Sequence, residues 1–394
     1  MKEHRAPFLK LFFFMGFVWA AVVAPYSSVL ILKGIGATSP QIGVFAAICS
    51  VISMVCQPMW GLLSDKLGSP RTVLSVCLAV SAAFFGCVMF AADFYAAAGI
   101  LFAETVFRCC AIPLLDSHTL SEINTIPGAQ YSFIRMGASI FYGCLSLIYS
   151  GIINARGAMS IVPIGLIISA LAVCWGLFFA KGQWEADKNR GSERKDKKNL
   201  LSEAAALLRD RRYIMFLSLV AIWALSTYPL YTFIIDYVTA VGGSAGDVPK
   251  IHALRCAAEL PAFILVGKIG TRADAKKLML AGMCFSLAHM AGLLFADTFF
   301  WLAAVNLLAA PGFIFGLTGR MRYINNITSE SVRSTSIAAM GACEIGLGSV
   351  AGNLIAGFIS GKYGIRSVSY VSMAAICAAI VILLTAIKPE RKYK

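Results

Sequence analysis

Long apolar runs recur along almost the whole chain, at residues 8–32, 41–63, 72–92, 95–120, 130–153, 158–180, 213–238, 248–269, 277–296, 298–319, 332–359 and 367–387. Each is close to the ~20 residues a helix needs to cross the hydrocarbon core of a bilayer. In lipid the backbone must satisfy its own hydrogen bonds, so the pattern predicts twelve spanning helices, spans 1 to 12. Short polar turns separate them, with one exception. Residues 181–212 carry Lys188, Arg190, Arg194, Lys195, Lys197 and Lys198, then a stretch from Leu200 to Leu208 with apolar residues at helical spacing. That predicts a solvated linker ending in a short amphipathic helix on the cytoplasmic membrane face. The expected organisation is an all-α membrane protein with twelve transmembrane helices in two pseudo-symmetric six-helix bundles, 1–180 and 213–394, joined by 181–212.

Composition agrees with burial in lipid. At 59% hydrophobic and 14% charged residues, with a mean hydropathy of +0.77, the chain is far from the ~25% charge of a soluble globule. Its net charge of +14 sits in turns and termini, which argues for membrane topology and against nucleic acid as a partner. Loops assigned to the cytoplasm hold Lys66, Arg71, the linker cluster, Lys268, Arg272, Lys276, Lys277, Arg320, Arg322 and Arg333; those assigned outside hold Lys33, Arg156, Lys250, Lys362 and Arg366. Both termini are therefore expected in the cytoplasm, in the inner membrane of a bacterial cell. The run from Phe8 is expected to be a retained first span, with no small-residue cleavage site behind it. Twelve cysteines fall almost entirely within apolar runs without ligand spacing, so they read as packing residues and predict neither disulfides nor a metal site.

The turn between spans 2 and 3 is the most distinctive stretch: Gln57-Pro58-Met59-Trp60-Gly61-Leu62-Leu63-Ser64-Asp65-Lys66-Leu67-Gly68-Ser69-Pro70-Arg71. Gly61 lets another helix approach, and the carboxylate of Asp65, set beside the cations Lys66 and Arg71 at the membrane surface, is placed where a moving helix end can be latched. A plain cytoplasmic turn is the competing reading. Gly61 to Arg71 resembles the signature loop between helices 2 and 3 of the major facilitator superfamily, and with its flanks it is similar to the lactose-permease branch. Val266-Gly267-Lys268 through Lys277 stands at the corresponding place in the second half as a degenerate copy. Two such halves imply bundles that rock about a central site. Gly341, Gly346, Gly348, Gly352, Gly357 and Gly361 in span 11 suit close, sliding helix contacts.

An ionisable side chain within a spanning helix costs at least about 2.5 kcal/mol, so each one needs a reason. Span 4 holds Glu104, Arg108 and Asp116; span 5 holds Arg135; span 8 holds His252, Arg255 and Glu259; span 11 holds Glu344. Glu104 and Arg108, spaced i, i+4, suit a structural pair. Asp116 and Arg135 lie on adjacent antiparallel spans, either as a structural pair or as a ligand site. His252, Arg255 and Glu259 share a helix face. Glu259 or Glu344 is a candidate proton carrier, and Arg255 a candidate partner that holds Glu259 charged.

Pro113-Leu114-Leu115-Asp116, Tyr131 to Gly137, and Phe141-Tyr142 resemble the segment in which the lactose-permease family binds sugar. The resemblance implies that Asp116 accepts from sugar hydroxyls, Arg135 donates to their oxygens and Tyr142 offers its ring face. In span 10, Leu307 to Phe313 has no titratable group where that permease places its proton-coupling residues, so a broader set of lactose-permease-like carriers, nucleoside transporters among them, fits the whole chain better. The expected activity is secondary active transport of a small polar solute, a sugar or nucleoside, with protons. No Walker loop or nucleotide fingerprint supplies another energy source; no cofactor is expected beyond the proton gradient, and no enzymatic activity. The partners expected are the solute, protons and the lipid bilayer, with the protein a monomer. The alternatives are a proton-driven exporter of amphipathic compounds and a non-transporting membrane sensor or scaffold.

Overall fold

The computed structural model describes residues 5–22, 25–67, 70–123, 126, 131–178, 210–269, 273–328 and 333–387. Among these it is helical, without strands. The expected amphipathic helix of the linker, Gly68-Ser69 of the 2–3 turn and the chain ends lie outside the described residues.

Span 1 consists of α1 (Arg5–Val22) and α2 (Pro25–Gly34), and spans 2 and 3 are α3 (Ser39–Leu67) and α4 (Pro70–Cys87). Span 4 is broken into α5 (Phe94–Arg108) and α6 (Ala111–Ile123); α7 (Tyr131–Arg156) and α8 (Ile161–Phe178) follow. The second half runs α9 (Arg211–Thr232), α10 (Ile234–Ala240), α11 (Asp247–Ile269) and α12 (Ala275–Leu294). Span 10 is broken into α13 (Phe299–Asn306) and α14 (Ala309–Ile327). Span 11 passes from α15 (Arg333–Gly341) through a π-helical segment, Ala342–Gly348, into α16 (Ser349–Tyr363), and α17 (Arg366–Thr385) closes the order. Ten helical stretches of the described residues are long and apolar enough to cross a membrane. The shorter apolar stretch Ala6–Val22 and the 23-residue α11, which carries Arg255 and Glu259, bring the total to the twelve expected.

Prolines mark two of the breaks. A proline has no N–H and its ring crowds the carbonyl four residues earlier. Pro113 stands four residues after the interruption at Cys109, and Pro311 four after that at Leu307; the change from α9 to α10 at Phe233 has another origin, because Phe233 N still donates to the Pro229 carbonyl at 2.9 Å.

The chain divides into two compact units: residues 1–38, 51–189 and 244–260 form one, and 39–50, 190–243 and 261–394 the other. These follow a different line from 1–180 and 213–394, because parts of spans 2 and 8 group with the opposite half. In the first unit α1 packs on α7 and α8, and α4 on α5, α6 and α8, around Phe14, Met15, Val18, Leu74, Cys77 and Leu115. The piece of span 8 in this unit is tied to α7. Ser244 Oγ donates to Asn154 Oδ1 at 2.9 Å, and a Cβ at Gly143 would lie 3.2 Å from Cys256. In the second unit α12 packs on α14 and α17, and α9 on α16, α17 and the π segment. The piece of span 2 in this unit meets span 11 where a Cβ at Gly43 would lie 2.9 Å from the Cα of Gly357. Ser50 and Ser349 share a hydroxyl hydrogen bond of 3.0 Å beside them.

The glycines of span 11 have unequal work. Cβ atoms at Gly348 and Gly352 would meet the carbonyls of Ala221 and Leu225 at 2.3 and 2.7 Å, so these two let span 11 lie against α9. No described atom lies within 4 Å of a Cβ built at Gly341, so it takes no part in that contact, contrary to expectation.

Candidate functional site

Arg135, Ser139 and Tyr142 stand at i, i+4 and i+7 on α7, one stripe of a helix. The stripe is positioned from one side by α1. A Cβ at Gly137 would lie 2.8 Å from the carbonyl of Phe12, and one at Gly16 only 2.5 Å from the Phe141 ring. This close approach brings Trp19 beneath Arg135, whose guanidinium carbon lies 3.7 Å from the centre of the Trp19 ring. Phe17 and Phe141 meet edge to face at 5.0 Å beside them. A desolvated cation over an indole face is worth up to about 2 kcal/mol, and stacking leaves the rim of the guanidinium to donate.

On the other side of the stripe lies α11. Ser139 Oγ donates to Glu259 Oε2 at 2.7 Å. Arg255 Nε lies 3.6 Å from Glu259 Oε1, with both side chains largely buried, at 16% and 14% exposure. The rings of Tyr142 and His252 are 6.0 Å apart. The structure thus brings together four residues read from the sequence, Arg135, Tyr142, Arg255 and Glu259, and adds two that were missed, Trp19 and Ser139. A serine or a tryptophan inside an apolar run gives no signal of its own. The one signal that could have found Ser139 is its place one turn beyond Arg135 on the same helix face. The arrangement offers donors, an acidic acceptor and ring faces along one helix pair, which is the equipment for holding a hydroxyl-bearing solute. Asp116 is half-buried on α6, three residues beyond Pro113. Glu104 and Arg108 pair at 2.7 Å as expected, with Ser81 Oγ donating to the same carboxylate at 3.0 Å.

A second charged group lies in the other unit. Arg320 Nη1 is 3.0 Å from Glu344 Oε1, the two side chains exposed by only 6% and 18%, and the guanidinium stands 5.0 Å over Trp223. Arg320 is thus not the loop cation that the tally of basic residues made it. Span 10 runs to Ile327, eight residues past its expected end, and Arg320 is buried within it. Tyr323, Ile324 and Ile327 continue the helical apolar period past Arg320 and were the signal. Glu344 belongs to the π segment, a rare local winding that often accompanies functional residues.

Of the turn between spans 2 and 3, Lys66 is exposed and Arg71 half-buried; the side chain of Asp65 lies outside the described residues. No described atom lies within 4 Å of a Cβ built at Gly61. Arg71 acts on Glu122, where burial raises the carboxyl above its ordinary range and the Arg71 charge opposes the rise. Among the described residues no group of three or more His, Cys, Asp or Glu side chains is placed to hold a metal ion.

Comparison with known proteins points the same way. The chain is 23% identical over 392 residues to the maltose permease of Geobacillus stearothermophilus, covering 98% of this chain and 96% of that one. It is 21% identical over 353 residues to the uncharacterized transporter YwbF of Bacillus subtilis (strain 168), covering 88% and 84%. Two crystal structures of the nucleoside transporter NupG, one of them a point mutant, share the fold. They superpose with TM-scores of 0.73 and, for the mutant, 0.78 at 15% and 14% identity, over 96% of this chain and 97% and 98% of theirs. Residues 7–371 match the profile of the MFS_1 like family, and the chain belongs to that family of membrane transporters.

Proposed function

We propose that the protein takes up a small polar solute of the sugar or nucleoside class by alternating access, coupled to protons. The observation that carries the reading is the polar stripe on α7. In an apolar span, Arg135 over Trp19, Ser139 on Glu259 and Tyr142 beside His252 are held in one line, and such a line is costly in lipid unless something uses it. Arg135 donates to solute oxygens, Asp116 accepts from solute hydroxyls, and Tyr142 stacks on the ring. Maltose permease and NupG, by their names, handle a sugar and a nucleoside, which supports the class. Glu259 and Glu344 are the proton-coupling candidates, with Arg255 setting the charge of Glu259. Gly61, Asp65, Lys66 and Arg71 form the conformational latch. The protein works as a monomer in the bacterial inner membrane with both termini in the cytoplasm.

The test is uptake of radiolabelled maltose and uridine by proteoliposomes under an imposed inward proton gradient. Accumulation that collapses with a protonophore is expected. Depletion of the solute would favour an exporter of amphipathic compounds, and indifference to the gradient would remove proton coupling.

A further inference from the structure

Span 4 is interrupted between α5 and α6 at Cys109-Cys110. Pro113 has no N–H to return to the carbonyl of Cys109, which is therefore orphaned inside an apolar bundle. Span 2 supplies the missing donor. Gln57 Nε2 donates to the Cys109 carbonyl at 2.9 Å. One turn further along the same face of α3, Trp60 Nε1 donates to the Val106 carbonyl at 2.7 Å. The thiols of the break close inward, Cys109 Sγ onto Val106 O at 3.3 Å and Cys110 Sγ onto Phe107 O at 3.2 Å.

Among the described residues the second half repeats the break without this fastening. Span 10 is interrupted at Leu307-Leu308 with Pro311 in the same relation to Leu307. Setting Gly267 against Gly61 places Phe263 and Val266 of span 8 opposite Gln57 and Trp60. Neither side chain has a hydrogen to donate; Val266 belongs to, and Phe263 packs against, an apolar cluster that includes Ile314 and Phe315 of α14. One proline break is held by side-chain donors from a neighbouring span, and its twin meets an apolar surface.

We infer that Gln57, supported by Trp60, is a positioning residue: by fastening the break in span 4 it sets the direction of α6 and hence the placement of Asp116. This rests on the reading of Asp116 as a solute contact. The bend then stays constant on the span that carries the acceptor, and Gln57 acts on the solute only through α6.

The full-length protein in detergent supports two measurements. Hydrogen exchange of peptides covering residues 105–116 reads the break alone. Equilibrium binding of radiolabelled maltose and uridine to wild type, Gln57→Leu, Asp116→Asn and the double variant reads its coupling to Asp116. Gln57→Leu is expected to raise exchange about tenfold, the equivalent of one lost hydrogen bond, and to weaken solute binding about tenfold, with less than twofold further effect in the Asp116→Asn background. Gln57→Met replaces it should the leucine variant not fold. Unchanged exchange overturns the fastening, and additive losses of affinity overturn the coupling to Asp116. Wild type that binds neither probe counts against the solute class proposed above, and the exchange measurement still decides the break.

Discussion

Arg320 and Glu344 show how unequal two partners in a buried pair are. A carboxyl stripped of its counter-ion can neutralise itself by taking up a proton; a guanidinium cannot. Breaking a buried pair by removing one member costs about 3–5 kcal/mol when the other stays charged. Glu344→Gln is therefore expected to lower thermal stability in detergent more than Arg320→Met, which keeps bulk over Trp223. The reverse order would mean that the 3.0 Å contact holds no buried charge in place. At the first site, Ser139→Ala removes the hydroxyl on Glu259 and is expected to weaken solute binding about tenfold, in line with about 1–3 kcal/mol for a buried acceptor left unmet. Binding isotherms of the purified variant check it. Arg135, Arg255 and Glu259 were legible in the sequence, because a charge in an apolar run announces itself, and Tyr142 through the resemblance of its segment to the lactose-permease family. Arg320 was not, since the apolar run of span 10 ends at Gly319, and Trp19 and Ser139 look like any other residue of a membrane helix.

Within a single span, where a helix is broken and how closely it packs depend on residues that add no charge. Span 11 lies on α9 through Gly348 and Gly352, whose missing Cβ atoms would run into backbone. Gly348→Ala is expected to destabilise the protein by about 1–3 kcal/mol, the usual cost of overpacking, while Gly341→Ala, with open space around it, leaves the melting temperature within a degree or two or raises it. Equal losses from both would show that the stripe acts through helix propensity and not through contact. The close-packing role of these glycines was readable from their spacing, though not which of them bear it. The breaks in spans 4 and 10 had a signal in Pro113 and Pro311. The hydrogen bonds from Gln57 and Trp60 that answer the first break had none, because they come from more than forty residues away in sequence.

At the scale of the whole chain, twelve spans were within reach of the sequence because lipid leaves the backbone few choices, and the family through the resemblance of Gly61 to Arg71. What the apolar pattern did not contain is the grouping in which residues 39–50 and 244–260 each leave their own half. That grouping depends on contacts such as Gly43 on Gly357 and Ser244 on Asn154, which only the folded chain makes. It places Glu259 in the same unit as Arg135 and Tyr142, so the proposed solute contacts and one coupling carboxyl form a single polar stripe. The most direct test of that stripe is equilibrium binding of radiolabelled maltose and uridine to purified wild type and Arg135→Ala. Saturable binding of one solute by wild type, weakened at least about tenfold in Arg135→Ala, is predicted. Equal affinity in the two proteins would contradict the account.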